Sequence, residues 1–304
     1  MQFGVNLLNF GPGVSPSGLL RWTLIAESLG YHFAMISDHL AVTKEVSKRY
    51  PEPYYDAFAT LPWLAGQTKN IKLGTTVIVV PYRHPVLMAR LGANIDNVSG
   101  GRFIFGVGIG NTQTEYEALG IPFHQRGAIA NEYLSAIKTL WTNETASFSG
   151  KYVSFQDVSG IECLQKPHPP IWVGGVSDAA LKRAVRFGEA WHPNRFRLDW
   201  LRNDGLPRIH AFAEQSQSPV PALAPRIRLT ITAKPQPDET RQVGEGTIDQ
   251  VRRDLEALSS LGASHVLFDW YTGDLEVTRR HEFGWGMLAH LADQVLDLGR
   301  QTLR

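Results

Sequence analysis

The tripeptide Ser37-Asp38-His39 carries the clearest candidate for acid–base chemistry in the chain. It follows the apolar run 33–36, so it stands at the end of a predicted strand. A carboxylate beside an imidazole can accept one ring N–H and thereby orient the other ring nitrogen for proton transfer. The same two side chains also fit a local Asp–His hydrogen bond that only stabilises the loop. Asp38 and His39 are therefore candidate catalytic residues, with both roles open.

Polar side chains also end two other predicted strands. Asn6 follows the first apolar run, where its amide could bind the polar edge of a ring or cap a turn. Thr75 and Thr76 follow Gly74, a position at which backbone can approach a ligand closely. Threonine is also an ordinary strand residue, and from the residues alone that interpretation is favoured.

Glycines mark the ends of the fourth and fifth predicted strands. Gly106 and Gly108 belong to a G-x-G-x-G run, which leaves a flat space for a ring but departs from the G-x-G-x-x-G dinucleotide fingerprint. Gly174, Gly175 and Ser177 lead directly into a helical pattern. Free amides and the helix dipole would favour an anion there, and an ordinary serine N-cap fits equally well.

These segments need elements that bring strand ends together. Short apolar runs alternate with stretches of helical period, as in parallel sheets whose strands are buried on both faces. Eight strands are predicted to begin at Phe3, Phe33, Leu73, Phe103, Ile171, Ala190, Ile227 and His265. The third is predicted as one strand over 73–80. With eight interleaved helices, one of them over 178–187, the predicted fold class is α/β: a (β/α)8 TIM barrel with long βα-loop insertions, in one domain over 1–304. A doubly wound open sheet is the alternative.

Charge and cysteine content exclude several classes of function. The 304 residues carry 30 Lys and Arg against 29 Asp and Glu, a net charge of +1, which argues against nucleic-acid binding and electrostatic membrane anchoring. The single cysteine, Cys163, excludes an intrachain disulfide. The histidines lack metal-ligand spacing, so no metal is predicted. With no secretory signal and no apolar stretch of about 20 residues, we expect a soluble, cytoplasmic protein.

Ordered motifs over about the first 195 residues resemble the luciferase-like monooxygenase superfamily, barrel enzymes that use FMN or the deazaflavin F420. In chain order the motifs are Asn9–Gly13, Glu27–Tyr31, Ser37–His39, Ile71–Thr75, Ser99–Phe103, Gly106–Gly110, Glu115–Gly120 and His168–Gly175. Within the superfamily the chain is most similar to the predicted F420-dependent oxidoreductases.

The resemblance implies a role for each candidate residue. The implied catalytic residues are His39, Asp38 and Asn111, and the implied cofactor contacts are Asn6, Asp38, Thr75, Thr76, Gly106, Gly108, Gly174, Gly175 and Ser177. It also implies a non-prolyl cis peptide at Thr76–Val77. Asn111 stands where the F420-dependent sugar-phosphate dehydrogenases have an acidic residue, so oxidation of a sugar phosphate is disfavoured.

The expected function is F420-dependent hydride transfer to or from a small organic substrate. One alternative is an FMN-dependent monooxygenase that uses reduced FMN and O2, and another is a non-catalytic cofactor-binding barrel. Family members are commonly dimers, so we expect a homodimer. The stretches 141–170 and 214–226, together with the C-terminal third, are expected to form the pocket walls.

Overall fold

Eight parallel strands close into a barrel in the computed structural model, which describes residues 1–304. The strands are β1 (Gln2–Leu7), β2 (Phe33–Ile36), β3 (Lys72–Thr75), β4 (Phe103–Gly108), β5 (Ile171–Gly174), β6 (Ala190–His192), β7 (Ala222–Leu223 and Arg226–Arg228) and β8 (His265–Asp269). Each strand pairs with the next in chain order, and β8 pairs with β1. The two pieces of β7 close the ring, because the first pairs with β6 and the second with β8. The predicted TIM-barrel fold is confirmed.

A helix follows each strand and packs its apolar face on the barrel. The helices are α1 (Pro16–Leu29), α2 (Ala57–Ala65), α3 (Pro85–Val98), α4 (Arg126–Thr142), α5 (Asp178–Phe187), α6 (Leu206–Gln215), α7 (Ile248–Ser260) and α8 (His281–Gln294). In α1 the side chains at the predicted i, i+3, i+4, i+7 positions are the buried ones: Leu19, Trp22, Thr23 and Ala26. No helix in residues 1–304 has the length and apolarity that a membrane span requires.

Two predicted strands differ from the observed ones. The run 73–80 is not one strand: β3 ends at Thr75, a cis peptide joins Thr76 to Val77, and Ile78–Val79 then pairs with the end of β4. Strand β7 begins before the predicted Ile227 and is split. Pro225 lies between its two pieces, where a residue without N–H cannot continue the ladder as a donor.

The stretches 141–170 and 214–226, which were predicted to form pocket walls, lie at the amino ends of the barrel strands and do not form them. The hairpin Thr145–Ser149/Ser154–Ser159 connects α4 to β5, and residues 216–221 connect α6 to β7. Such helix-to-strand connections lie at the amino ends of the strands, opposite the face where barrel active sites form. The insertions on the functional face are the strand-to-helix connections 37–56, 109–125, 193–205 and 229–247.

Gly106 is needed for close packing between β3 and β4. A Cβ at this position would lie 1.7 Å from the Thr75 carbonyl oxygen, a backbone atom that cannot rotate away. Gly106→Ala is therefore expected to lower the free energy of unfolding by about 3 kcal/mol, measured by urea denaturation. Gly286→Ala is the control, because a Cβ in the middle of α8 meets no atom within 4 Å. It should stabilise the protein by about 0.5–1 kcal/mol, and equal effects of the two substitutions would contradict this account.

Candidate functional site

The largest of the barrel's main cavities opens at the carboxyl ends of the strands and measures about 690 Å³. Residues after β2, β3, β4, β5 and β6 line it, as does Arg226 of β7. Val77, Val79 and Val176 contribute apolar surface. Its volume lies within the range of about 300–1,000 Å³ that small-molecule and cofactor sites occupy.

His39 lines this cavity and is held by a buried glutamate. Its Nδ1 lies 2.8 Å from Glu115 Oε2, and its ring stacks on Tyr50 with centroids 4.9 Å apart. Glu115 also accepts the backbone N–H groups of Leu40 and Ala41 at 2.7 and 3.1 Å. Burial would raise the pKa of this carboxyl, but the hydrogen bond and charge of His39, the Leu40 N–H and the Tyr82 hydroxyl together lower it below its usual value.

The lowered pKa of Glu115 fixes the tautomer of His39. A carboxylate only accepts hydrogen bonds, so Nδ1 carries the proton that it donates to Glu115. Nε2 is then the nitrogen available to exchange a proton with a molecule in the cavity. This is the arrangement in which a carboxylate orients an imidazole for acid–base work.

Asp38 serves a different purpose from the predicted pairing with His39. Both of its carboxylate oxygens accept from the Arg83 guanidinium at 2.8 Å, and one also accepts from the Val79 N–H at 3.0 Å. Arg83 donates further to Asp56 at 2.6 Å. The interpretation of Asp38 and His39 as a local hydrogen-bonded pair is wrong, because the buried Arg83 charge captures the carboxylate.

A polar network lies under the cavity floor around Thr76. His192 Nδ1 donates to the Ala224 carbonyl, so its Nε2 accepts from the Thr76 hydroxyl at 2.9 Å. Arg226 Nη1 donates to the Thr76 carbonyl oxygen at 2.8 Å. The network thus holds both the side chain and the backbone of the residue that begins the cis peptide Thr76–Val77, which was expected from the sequence.

The same network continues across the barrel to β8 and β1. Arg226 forms an ion pair with Asp269 at 2.7 Å, and the other Asp269 oxygen accepts from Asn6 Nδ2 at 2.8 Å. The Oδ1 atom of Asn6 is buried and has no hydrogen-bond partner within the protein. Asn6 is thus held beneath the cavity and is not among the residues that line it.

The remaining candidate residues fall into two groups. Thr75 donates its hydroxyl hydrogen to the Gly106 carbonyl at 2.7 Å, and a Cβ at Gly108 would meet Val77 Cγ2 at 2.5 Å. The space beside these glycines is therefore filled by protein, which corrects the interpretation that it receives a ring. Thr76 and Asn111 do line the cavity.

The segment after β5 provides a helix N-terminus at the cavity edge. Ser177 caps α5 by accepting the Ala180 N–H at 3.3 Å, and Gly175 has a φ of +113° with Ala180 against it. Between them, Val176 lines the cavity. The N-cap interpretation of Ser177 therefore holds. The first backbone N–H groups of a helix have no carbonyl partner within that helix.

A family model matches most of the chain. The family model described as luciferase-like monooxygenase matches residues 1–289. The chain belongs to the luciferase-like monooxygenase family. Among relatives of this family, the F420-dependent glucose-6-phosphate dehydrogenase of Kineococcus radiotolerans is 30% identical over 181 residues, which cover 58% of this chain and 52% of that enzyme.

Solved structures of two other enzymes share the fold of this chain. The F420-dependent tetrahydromethanopterin reductase of Methanopyrus kandleri has a TM-score of 0.72 at 19% identity, covering 92% of this chain and 96% of that one. The oxygenating constituent of 3,6-diketocamphane monooxygenase from Pseudomonas putida, in complex with FMN, also has a TM-score of 0.72, at 16% identity over 96% of this chain and 97% of that one.

Sequence reasoning missed four residues of this luciferase-like site. Glu115 was noted only inside a motif, and the polar network adds His192, Arg226 and Asp269. His192 and Asp269 end strands and Glu115 follows one, and that position was the signal that could have found them. Arg226 begins the second piece of β7 and carries no such signal. Asp269 lies 43 residues from Arg226 and 263 residues from Asn6 in the sequence. Contacts over such distances cannot be read from local spacing.

Two histidines, the buried His192 and the half-buried His265, predict that the protein loses stability in mild acid. Burial lowers the pKa of His192 to about 4, and burial with neighbouring positive charges lowers the pKa of His265 to about 4. In the unfolded chain these groups titrate near pH 6.5, so below that pH the unfolded state binds more protons and is favoured.

The free energy of unfolding should therefore fall between pH 7 and pH 5 by about 2 kcal/mol for each of the two histidines, as measured by urea denaturation. His265→Gln removes one of the titrating groups and should show about half of the loss. A free energy that stays constant over this interval would contradict the assignment of both histidines as neutral in the folded state.

Proposed function

We propose that this luciferase-like protein is an F420-dependent oxidoreductase that transfers a hydride to or from a small organic substrate in the cavity above Thr76 and Val77. The observation that carries the proposal is the cavity itself. It combines apolar surface, a proton-exchanging histidine and a basic rim at the carboxyl ends of the barrel strands. The family match and the F420-dependent relative support it.

The cavity fits a tricyclic ring that carries an anionic tail. Val77 and Val176 provide apolar contact for a ring, and the free amides near Gly175 and Ser177 suit a phosphate. Lys48 and Arg49 line the cavity without an ion pair, and they outnumber Glu45, the one lining carboxylate that also has none. Because the net charge of the chain is only +1, this local surplus is what would attract an anion.

The surplus of positive charge favours F420 over FMN. F420 carries anionic glutamyl groups beyond its phosphate, whereas FMN ends at the phosphate. When bound, either group supplies a ring that can accept or donate a hydride. FMN would instead support a monooxygenase that uses reduced FMN and O2. This is the second candidate function, and the FMN-bound structural neighbour supports it.

The chain's own contribution to the reaction is proton transfer and positioning. His39 Nε2 would take a proton from the substrate during oxidation or return one during reduction, while Glu115 stabilises the protonated imidazole. Asn111 lines the same cavity and, as an amide, can donate or accept a hydrogen bond but cannot supply a proton at neutral pH. Arg226 and His192 keep Thr76 in place beneath the reacting groups.

Titration of the purified protein with F420 and, separately, with FMN tests the proposal through the fluorescence of each cofactor. We expect saturable binding of F420 and weaker binding of FMN. The rim variant Lys48→Met should weaken F420 binding more than FMN binding, and Arg186→Met, on the exposed side of α5, should affect neither. Preference for FMN would favour the monooxygenase, and binding of neither cofactor would contradict both enzyme candidates and the cofactor-binding barrel.

We further propose a single domain over 1–304 that acts in the cytoplasm as a homodimer. Leu24, Trp63 and Leu87 on α1, α2 and α3 are large apolar side chains with 41%, 38% and 50% of their surface exposed, which suits a subunit interface. Light scattering coupled to size exclusion chromatography measures the oligomeric state. A monomer at micromolar concentration would contradict the dimer.

A further inference from the structure

A small side pocket of about 50 Å³ adjoins the main cavity between β6, β7 and β8. Four of its lining residues also line the main cavity: Tyr50, Asn194, Arg195 and Arg226. Its other lining residues are Arg228, Asp269 and Tyr271. A water molecule occupies about 30 Å³ in the liquid, so the pocket holds one small polar group and not a ring.

Three guanidinium groups converge on this pocket, and they outnumber the carboxylates that line or pair with them. Arg226 and Arg228 are two residues apart on β7, so both side chains point to the same face of the strand. Arg226 pairs with Asp269 at 2.7 Å and Arg228 with Glu245 at 3.3 Å. Arg195 pairs with no carboxylate, which leaves one positive charge uncompensated.

Two of the three arginine side chains, those of Arg226 and Arg228, are held in place before any ligand arrives. The side chains of Arg226 and Arg228 are only 17% and 26% exposed. Arg226 is fixed by Asp269 and by the Thr76 carbonyl. A guanidinium presents a planar fork of donors that matches a carboxylate or a phosphate, and fixed groups lose little entropy when they bind one.

We propose that Arg195, Arg226 and Arg228 form an oxyanion subsite that binds a carboxylate or phosphate group of the substrate. The inference rests on the proposed function and narrows its substrate class to small organic anions. A single uncompensated charge in a pocket of this size suits one terminal anionic group. The Asp269 carboxylate, also in the lining, disfavours a polyanionic tail.

The cofactor phosphate is the other possible source of an oxyanion, and its expected place differs. The turn with Gly175 and Ser177 follows β5, whereas the side pocket lies at β7 and β8. A group bound in the side pocket would reach the main cavity past Tyr50, whose ring also stacks on His39. That position directs the rest of an anionic substrate toward the proton-exchanging histidine.

Calorimetric titration with inorganic phosphate, in a buffer without other oxyanions, tests the subsite. We expect one site per chain in the cofactor-free protein, and an affinity at least tenfold weaker in Arg228→Met. Arg195→Met should also weaken binding, and since Arg195 is exposed and has no ion pair to lose, it should fold normally. Arg186→Met on α5 is the matched control and should bind like the parent protein.

A second titration in saturating F420 or FMN separates the two sources of the oxyanion. Phosphate affinity should change by less than about twofold. Competition between phosphate and either cofactor would assign the pocket to the cofactor and overturn the inference, as would unchanged phosphate binding in both arginine variants. If neither cofactor binds, the proposed function fails on its own while the phosphate result still reports on the pocket.

Discussion

Replacement of His39 by asparagine is expected to lower turnover by about 10²- to 10⁴-fold while leaving cofactor affinity nearly unchanged. The imidazole exchanges a proton through Nε2, and Glu115 holds Nδ1 at 2.8 Å. Asparagine preserves a polar group against the cavity but cannot carry a proton. The measurement is steady-state turnover with F420 and a responsive substrate, beside a fluorescence titration of the cofactor.

Glu115 provides the internal check on this result. Glu115→Gln alone should also lower turnover, because a neutral amide does not stabilise the protonated imidazole. In the His39→Asn background the same change should cost little more, since the two residues act as a unit. His124→Asn is the matched control at an exposed histidine. Additive losses in the double variant, or full turnover in His39→Asn, would remove the dyad from the mechanism.

Arg83→Met is expected to lower the free energy of unfolding by about 3–5 kcal/mol. Arg83 and Asp38 have side chains only 8% and 0% exposed, so removal of the guanidinium leaves a carboxylate buried without its partner. Urea denaturation at pH 7 measures the change. Arg186→Met makes the same substitution on an exposed face and should alter stability by less than about 0.5 kcal/mol.

Adding Asp38→Asn to Arg83→Met should recover part of the lost stability, because the pair then has no unpaired charge. A loss below about 1 kcal/mol in the single variant would show that Asp38 finds other compensation. The Val79 N–H is the other donor within reach of that carboxylate. The outcome therefore separates a structural Asp38 from one that is free to contact a cofactor.

The fold was predictable because it depends on local patterns. The predicted bounds of α5, 178–187, are the observed ones, since Ser177 caps its start and Gly188 follows its end. The consecutive apolar residues of β2 and β4 are buried on both faces, as expected for parallel strands. Those signals lie within a few residues of one another, and they agree with the overall fold.

The site was less predictable because its decisive contacts are distant in sequence. Adjacent residues suggested a bond between Asp38 and His39, yet Arg83 and Glu115 lie 45 and 76 residues from their respective partners. The alternating glycines likewise suggested open space. Gly106 instead admits the backbone of Thr75 at the end of β3, and Gly108 admits the side chain of Val77 just after it. The spacing of glycines in a sequence shows where the backbone is flexible and lacks side chains, but it does not show which neighbouring group fills the space beside them.

The two backbone N–H groups that donate to Glu115 determine which loops at the carboxyl end of the barrel can be varied without disturbing catalysis. Leu40 and Ala41 tie the β2 loop to the same carboxylate that orients His39, so a library that varies this loop also disturbs the proton-transfer group. The connections 193–205 and 229–247 form no hydrogen bond with Glu115 or His39. Directed evolution toward new substrates is therefore best confined to those two loops, with the half of the mouth formed by β2 and β4 kept constant.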